Sequence, residues 1–329
     1  PAVLLTPWLM LFSARHYVRR FRNPRLRTLL ECVVDPRINA LSLIYTLSTF
    51  SSGDGGYPEG GSLRMARNMA STFTSLGGEI RYRTPALEVV REGGRATGVR
   101  TAGGFLESDA VVISADARTA IDKLFSEPLG DRWAERMRRR LRTAQCMFIA
   151  LGLKADLSAW PRTMLLVLPS PLKAGGLTFR TVTVNNYSRD RGYAPEGCTA
   201  VTVILPGPSY RFWKEARERG EYASLKQEAT DAFAAALASV IPETEGCVEV
   251  SDMATPLTWE RYCDTFEGSY MSEWPAGHFA CNAPMRHSPA LYFTGQRTAF
   301  SGGLPVAAET GRRCAQIICK DYGLEFVSR

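Results

Sequence analysis

Residues 291–318, LYFTGQRTAFSGGLPVAAETGRRCAQII, constrain the fold more than any other stretch of the chain. A short apolar strand, Leu291-Tyr292-Phe293-Thr294, stops at Gly295, and a loop carrying Gly302 and Gly303 follows. Pro305 stands where a first helical residue belongs. From there Val306, Ala307, Thr310, Cys314, Ile317 and Ile318 recur at helical spacing and make one apolar stripe. The segment therefore reads as strand, glycine loop, helix.

The first amides of such a helix lack internal partners and sit at the positive end of its dipole. An electron-rich group docks against an end of that kind, and glycines let it come close. A phosphate suits the position, and so does the carbonyl edge of a reduced flavin ring. A plain strand–helix corner whose glycines only make the turn accounts for the pattern equally well.

A chain of 329 residues can hold two cores or one large interleaved one. With 45% apolar and 22% charged residues it has the composition of a folded protein, which argues against disorder. No apolar run reaches the ~18 residues of a membrane span, and no leader pattern opens the chain. Because the first residue is Pro1, the chain is expected to be a piece of something longer. Eight cysteines without paired spacing are expected to stay reduced, as in a cytoplasmic protein. His16, His278 and His287 are the three histidines, too few for a His-based metal site, and no metal ligands are assigned. The net charge of +7 is mainly arginine. The cluster Arg136, Arg138, Arg139, Arg140 and Arg142 around Met137 and Leu141 reads as a solvated helix face, with no nucleic-acid signature beside it.

Taken in order, residues 1–30 begin apolar and aromatic (Leu4, Leu5, Trp8, Leu9, Met10, Leu11, Phe12) and turn basic at Arg15, Arg19, Arg20, Arg22, Arg25 and Arg27. An apolar and a basic face suit a helix lying in a membrane interface. They suit a domain-packing helix as well, which is the reading favoured here. Asn23-Pro24 breaks this first helix, Arg25 to Val34 begins a second, and Leu41 to Phe50 is a third. The glycine-rich block 51–62 is no dinucleotide fingerprint, since Pro58 takes the third glycine's place and no strand leads in. A helix follows with Ser62 as N-cap, an apolar stripe of Leu63, Ala66, Met69, Phe73 and Leu76, and Gly77 as C-cap.

From Glu79 the period becomes two. Ile80–Arg83, Ala86–Val90, Thr97–Thr101 and Phe105–Glu107 read as strands, with Gly93-Gly94 and Gly103-Gly104 as turns. Ala110–Ala115 is a continuous apolar strand of the type buried on both faces of a parallel sheet. Residues 118–145 are helical and charged; Cys146–Lys154, Met164–Leu168, Phe179–Asn185 and Thr199–Leu205 are strands; and a long helix runs from about Glu221 to Val240. Strands followed by a covering helix make one sheet layered with helices.

The motifs LYFTGQ, GGLP and ETG resemble the C-terminal flavin motif of the phytoene desaturase, carotenoid isomerase and retinol saturase flavoproteins. Gln296 after Gly295 favours the isomerase and saturase branch, while Phe300-Ser301 and Thr310-Gly311 depart from the usual Pro-Gly and Ser-Gly. Tyr57-Pro58-Glu59-Gly60-Gly61 is similar to the family's YPxGG element, and GGEI, ALEVV, GVRT and SDAVVISAD follow in the family's order. Ala254–Thr258 and Glu267–Tyr270 resemble its last turn and its Gly-Ser/aromatic element.

The resemblance implies an α/β (α+β mixed) fold, in which a partial FAD-binding domain is interleaved with a substrate domain built on a mixed sheet covered by helices. Residues 1–56 would be the helical part of the substrate domain, 57–117 the middle FAD segment, 118–285 the substrate domain and 286–329 the last FAD segment. It places FAD against Gly60, Gly61, Leu87, Gly295, Gln296, Gly302, Gly303, Leu304, Pro305 and Val306. It also implies an apolar tunnel, for which Phe148, Trp160, Phe179, Phe212, Trp213 and Trp259 are candidates or else plain core.

The family's opening strand, GxGxxG turn and helix are absent from this sequence, so a nucleotide-holding N-terminal Rossmann segment is the expected companion. Without it the chain is expected to hold FAD poorly. The implied function is flavin-dependent oxidoreduction of an apolar, carotenoid- or retinoid-like lipid by hydride transfer, in a cytoplasmic protein that can sit at a membrane periphery, without nucleic acid. No catalytic acid or base is assigned; Glu59 and Glu309 are candidates by position alone. An amine-oxidase type of flavoprotein and a non-catalytic membrane- or partner-binding module are the alternatives. Hydrolytic and metal chemistry fit poorly, because there is no G-x-S-x-G elbow, clustered ligand set or Walker loop.

Overall fold

The computed structural model describes residues 2–53, 56, 58–190, 192–273, 275–277, 281–299 and 303–327, with side chains from residue 6 onward. In chain order it begins with five helices, α1 (Ala2–Leu11), α2 (Ala14–Val18), α3 (Pro24–Val33), α4 (Ala40–Ser51) and α5 (Gly61–Ser75). Four strands follow, β1 (Glu88–Glu92), β2 (Arg95–Thr101), β3 (Gly104–Glu107) and β4 (Val111–Ile113), and then α6 (Ala117–Lys123) and α7 (Arg132–Arg140). Next come β5 (Thr143–Ala144), β6 (Cys146–Leu153), β7 (Thr163–Ala174), β8 (Leu177–Asn186) and β9 (Thr199–Pro206). The chain continues through α8 (Tyr210–Glu218), α9 (Tyr222–Ala238), β10 (Val248–Ala254), α10 (Pro256–Cys263) and β11 (Met271–Ser272). It closes with β12 (Arg286–Ser288), β13 (Leu291–Phe293) and α11 (Leu304–Asp321). Two compact units result: Pro1–Arg140 with Trp274–Arg329, and Leu141–Glu273.

The first unit carries the candidate site. Its parallel pairing joins β13 to β4, with Leu291 opposite Val111 and Phe293 opposite Ile113, in a three-stranded sheet ordered β12-β13-β4. β13 is completely enclosed: Leu291, Tyr292 and Phe293 are all buried. The strand at Ala110–Ala115 is shorter than its apolar run suggested, and Val112 is 44% exposed rather than buried on both faces. The reason is positional, since β4 is the edge of its sheet among the described residues and one of its faces is uncovered. Ile80–Arg83 is not a strand, for an extended segment needs a ladder partner and Arg83 turns away at φ 54°. The hairpin β1–β2 forms as expected, with Gly93 and Gly94 at φ 57° and 84°, the left-handed pair that a tight two-residue turn demands.

The helices of this unit depart from expectation at their starts. The first predicted helix is two, broken at Phe12-Ser13, because the Ser13 side chain accepts from the His16 amide and caps α2. Asn23 does the same for α3, accepting from Arg25 and Leu26. α5 is capped by Gly60 in a left-handed conformation, not by Ser62, and none of its residues is buried, so its apolar stripe faces outward. In the arginine cluster Met137 is fully buried, and Arg138 is not solvated: it pairs with Asp122 and Glu135 and donates to the Leu129 and Ile121 carbonyls.

The second unit is a five-stranded sheet, β10-β6-β9-β8-β7, in which every pairing is antiparallel, refining the mixed sheet expected there. Alternate residues of β6 (Met147, Ile149, Leu151, Leu153) and β9 (Val201, Val203, Leu205) meet Trp213 of α8 and Phe233 and Leu237 of α9 in one core. Of the aromatic candidates, Trp213 is fully buried at the centre of this core, and Trp160, Phe179 and Phe212 pack partly buried on its margin. None of the eight cysteines is placed in a disulfide among the described residues.

Candidate functional site

The site grows from the carboxyl ends of the two parallel strands, the edge at which α/β sheets receive ligands. β4 leads into α6 and β13 leads into the loop before α11. Gly295 has φ 94°, a conformation that side chains disfavour, and its amide donates to Thr310 Oγ1 at 3.0 Å. The buried Thr310 also accepts from the Thr294 hydroxyl (3.2 Å) and donates to the Ala307 carbonyl (2.8 Å). One hydroxyl thus ties the end of β13 to the first turns of α11. Thr310 departs from the serine usual in the resembling family, yet it retains the hydroxyl that makes these bonds.

Two residues beyond Gly295, Arg297 is buried against Asp116 at the mouth of β4. Its Nε and Nη2 donate to Asp116 Oδ2 at 3.0 and 2.7 Å, and the two side chains are 1% and 0% exposed. The other carboxylate oxygen accepts from the Arg118 and Thr119 amides and caps α6. The Arg297 carbonyl accepts from Ala283, and Thr298 closes the turn back onto the Gly295 carbonyl. A buried ion pair is costly unless its remaining valences are filled, and this one is surrounded by such bonds. Nothing in a periodicity reading marks this pair. The available signal is that each partner lies just beyond an apolar strand.

Of the site residues expected from the sequence, Gly303 is the N-cap of α11 at φ 95°, with no side-chain capping bond. Leu304 and Pro305 are exposed and Val306 half-buried. The Leu304 and Val306 amides are donors without helical acceptors, and Pro305 has no donor to lose. Among the described residues a Cβ on Gly303 would meet nothing closer than Pro305 Cδ at 3.8 Å. Gly295, Gln296 (half-buried) and Gly303–Val306 therefore belong to one braced strand–loop–helix. Gly60 and Gly61 begin a separate helix, and Leu87, half exposed, precedes β1 with its amide donated to Arg100. Gly302, and Tyr57 of the YPEGG element, lie outside the described residues.

The surroundings limit the chemistry further. Glu309 is ion-paired with Arg313 on the surface at 2.6 Å, and Glu59 is exposed, so neither is set up as a proton shuttle. Cys146 is buried, and that burial pushes its thiol up to about 11, which keeps it protonated at neutral pH. Among the described residues no group of three His, Cys, Asp or Glu side chains is placed to hold a metal. Nor is any described helix long and apolar enough to cross a membrane. In the second unit a cleft of about 450 Å³ between α8, α9, β10 and α10 has a mixed lining, with Arg217, Lys226 and Glu260 beside Tyr222, Met253 and Leu257.

Comparison with known proteins agrees with this architecture. The chain is 23% identical to the chloroplastic prolycopene isomerase of Daucus carota, over 95% of this chain and 53% of the relative. It is 23% identical to a 4,4'-diapophytoene desaturase (4,4'-diapolycopene-forming) of Methylomonas sp, over 82% of this chain and 54% of the relative. The chain thus spans about half the length of these curated relatives. In fold it is similar to an oxidoreductase from Methanosarcina mazei, with a TM-score of 0.63 at 15% identity over 96% of this chain and 71% of that one. The sequence pattern of the flavin containing amine oxidoreductases matches residues 5–319, nearly the whole length. With the glycine-capped strand–loop–helix in place and that match running from one end to the other, the chain belongs to the flavin containing amine oxidoreductase family.

Proposed function

We propose that this chain is the larger part of an FAD-dependent oxidoreductase that acts on an apolar, polyene-like lipid, and that it meets this substrate in peripheral contact with a bilayer. The observation that carries the reading is the start of α11: an uncapped helix end behind Gly303, at the carboxyl edge of a parallel strand pair. That end fits an electron-rich ring edge, since among the described residues no side chain caps it and the first amides of a helix lack partners within it. Bound flavin supplies the hydride chemistry, which no side chain could.

The chain's own residues position and polarise. The Leu304 and Val306 amides stabilise negative charge at the docked edge. Thr310 fixes the loop to the helix, and Asp116 with Arg297 fixes the loop to β4. Gln296, next to Gly295, is the side chain best placed by sequence to hydrogen-bond the cofactor. The apolar character of the substrate is supported by the resemblance to enzymes named for prolycopene and diapophytoene. An amine substrate, favoured by the family's name, is the second reading.

The outward apolar stripe of α5 (Leu63, Met69, Phe73 and Leu76, each at least half exposed) and the uncovered Val112 await a nucleotide-holding segment, and the isolated chain is expected to hold FAD weakly. The test has two arms. FAD is added to the purified chain, alone and joined to a strand–GxGxxG–helix segment, and flavin absorbance is read after gel filtration. Retention in the joined protein and loss from the chain alone is the expected result; retention in neither overturns the flavin reading. Anaerobic addition of a carotenoid or an amine then separates the substrates, because the right one changes the flavin spectrum.

A further inference from the structure

We infer that the exposed side of the helical cluster α1–α4 docks on an anionic lipid bilayer. The charge is concentrated there: residues 1–53 contain seven arginines against Glu31 and Asp35, so they carry five of the seven net positive charges of the chain. Both carboxylates are engaged, Asp35 with Arg37 at 2.7 Å and Glu31 with Arg15 at 3.9 Å. Arg19, Arg22 and Arg25 are exposed and make no ion pair among the described residues. Their charge is available to an outside partner.

The same cluster leaves apolar surface uncovered. Its core is Ala14, Val18, Leu30 and Leu43, and from it the stripe of α4 runs outward: Leu43 is 0% exposed, Leu47 37% and Phe50 64%. On α3, Leu29 beside the buried Leu30 is 54% exposed, and Leu11 at the end of α1 is 58% exposed. Trp8 packs tilted against Phe12 and Phe12 stacks on His16, with centroids 4.7 and 4.8 Å apart. The Arg20 guanidinium lies 4.0 Å from the Tyr17 ring centre and 5.8 Å from that of Trp8. Tryptophan, tyrosine and arginine side by side is the chemistry of a headgroup layer, where amphipathic rings and cations are both satisfied.

Charge decides between occupants. A second copy of this chain would bring five more positive charges against these, so self-association is opposed. A nucleic acid would take the arginines but leave Leu11, Leu29 and Phe50 in water. An acidic bilayer satisfies both. No described helix is long and apolar enough to cross it, so the proposed contact is on the surface. The packing role favoured from the sequence applies to the inner faces of these helices, and the outer faces are what the bilayer covers.

This names the residues behind the peripheral contact proposed above, and it is tested with the chain as it stands, without FAD or substrate. Its failure leaves the flavin reading intact, and the reverse holds too. The probe is flotation with vesicles of phosphatidylcholine alone or enriched in phosphatidylglycerol. Expected is co-flotation with the acidic vesicles only, weakening toward ~1 M salt, where screening shortens to about 3 Å. Each arginine near such a surface contributes roughly fivefold to partition, so Arg22→Gln with Arg25→Gln lowers it roughly 30-fold. Phe50→Ser, also at an exposed site, weakens binding at unchanged melting temperature. Flotation with neither vesicle, equal flotation with both, or indifference to the arginine variants overturns the proposal. So does a concentration-dependent dimer that Phe50→Ser dissolves, which would make the face a protein interface.

Discussion

Asp116→Asn tests whether the pair behind the site is what braces it. The substitution keeps the side chain's shape and leaves an oxygen to accept the Arg118 and Thr119 amides, at 2.8 and 3.3 Å, so the cap of α6 survives. What disappears is the negative charge beside a guanidinium that is only 1% exposed. Leaving one partner of a buried pair uncompensated costs about 3–5 kcal/mol, whereas exposed pairs such as Arg211–Glu215 are each worth about 0–1 kcal/mol. For a unit of this size that corresponds to a melting temperature lower by roughly 10 °C. Arg297→Met removes the other charge, and the double variant removes both, so it should recover part of the loss instead of adding the two. Calorimetry and urea midpoints of the parent, both single variants and the double variant complete the cycle. A single-variant shift under ~2 °C, or a double variant that loses the full sum, would refute the reasoning.

Two further outcomes follow from the same segment. Thr310→Val keeps the shape but deprives the Gly295 amide of its acceptor, so urea unfolding should show a loss of about 1–3 kcal/mol, while Thr310→Ser stays within about 0.5 kcal/mol. Tyr292 is buried and donates to Asp321 Oδ2 at 2.9 Å; burial first, then that carboxylate, pushes its phenol from 10.0 up to about 12. A raised folded value means its stabilisation is complete below 10.0 and lost as pH climbs through about 12. Tyr292→Phe should therefore be less stable than the parent near neutrality by about 1 kcal/mol, a gap that closes in alkali. Urea midpoints across that range check it, and a gap that widens would contradict it.

The parts of the fold legible in the sequence are those governed by neighbours along the chain. Asn23 before Pro24 starts α3, the Gly93-Gly94 pair turns β1 into β2, and Phe233 and Leu237, four apart, mark the buried face of α9. The glycine-capped entry to α11 is of the same kind, since Pro305 and Gly303 set its start locally. The local rules misjudge α5, where Ser62 has the right chemistry for a cap but Gly60 takes the position, and they divide residues 1–22 too coarsely because Ser13 caps a second helix within an apolar run.

What the amino-acid sequence by itself determined, then, is which segments are strand or helix, where the glycine turns fall, and that a bare helix end follows a buried strand. Only the tertiary structure decided that Ile80–Arg83 has no ladder to join, that Val112 lies on an open face, and that Arg297 finds Asp116 across 181 residues. The reason is physical. Caps and turns are satisfied by groups a few residues away, whereas a strand's hydrogen bonds, a burial and a buried charge are each satisfied by whatever distant chain is brought alongside.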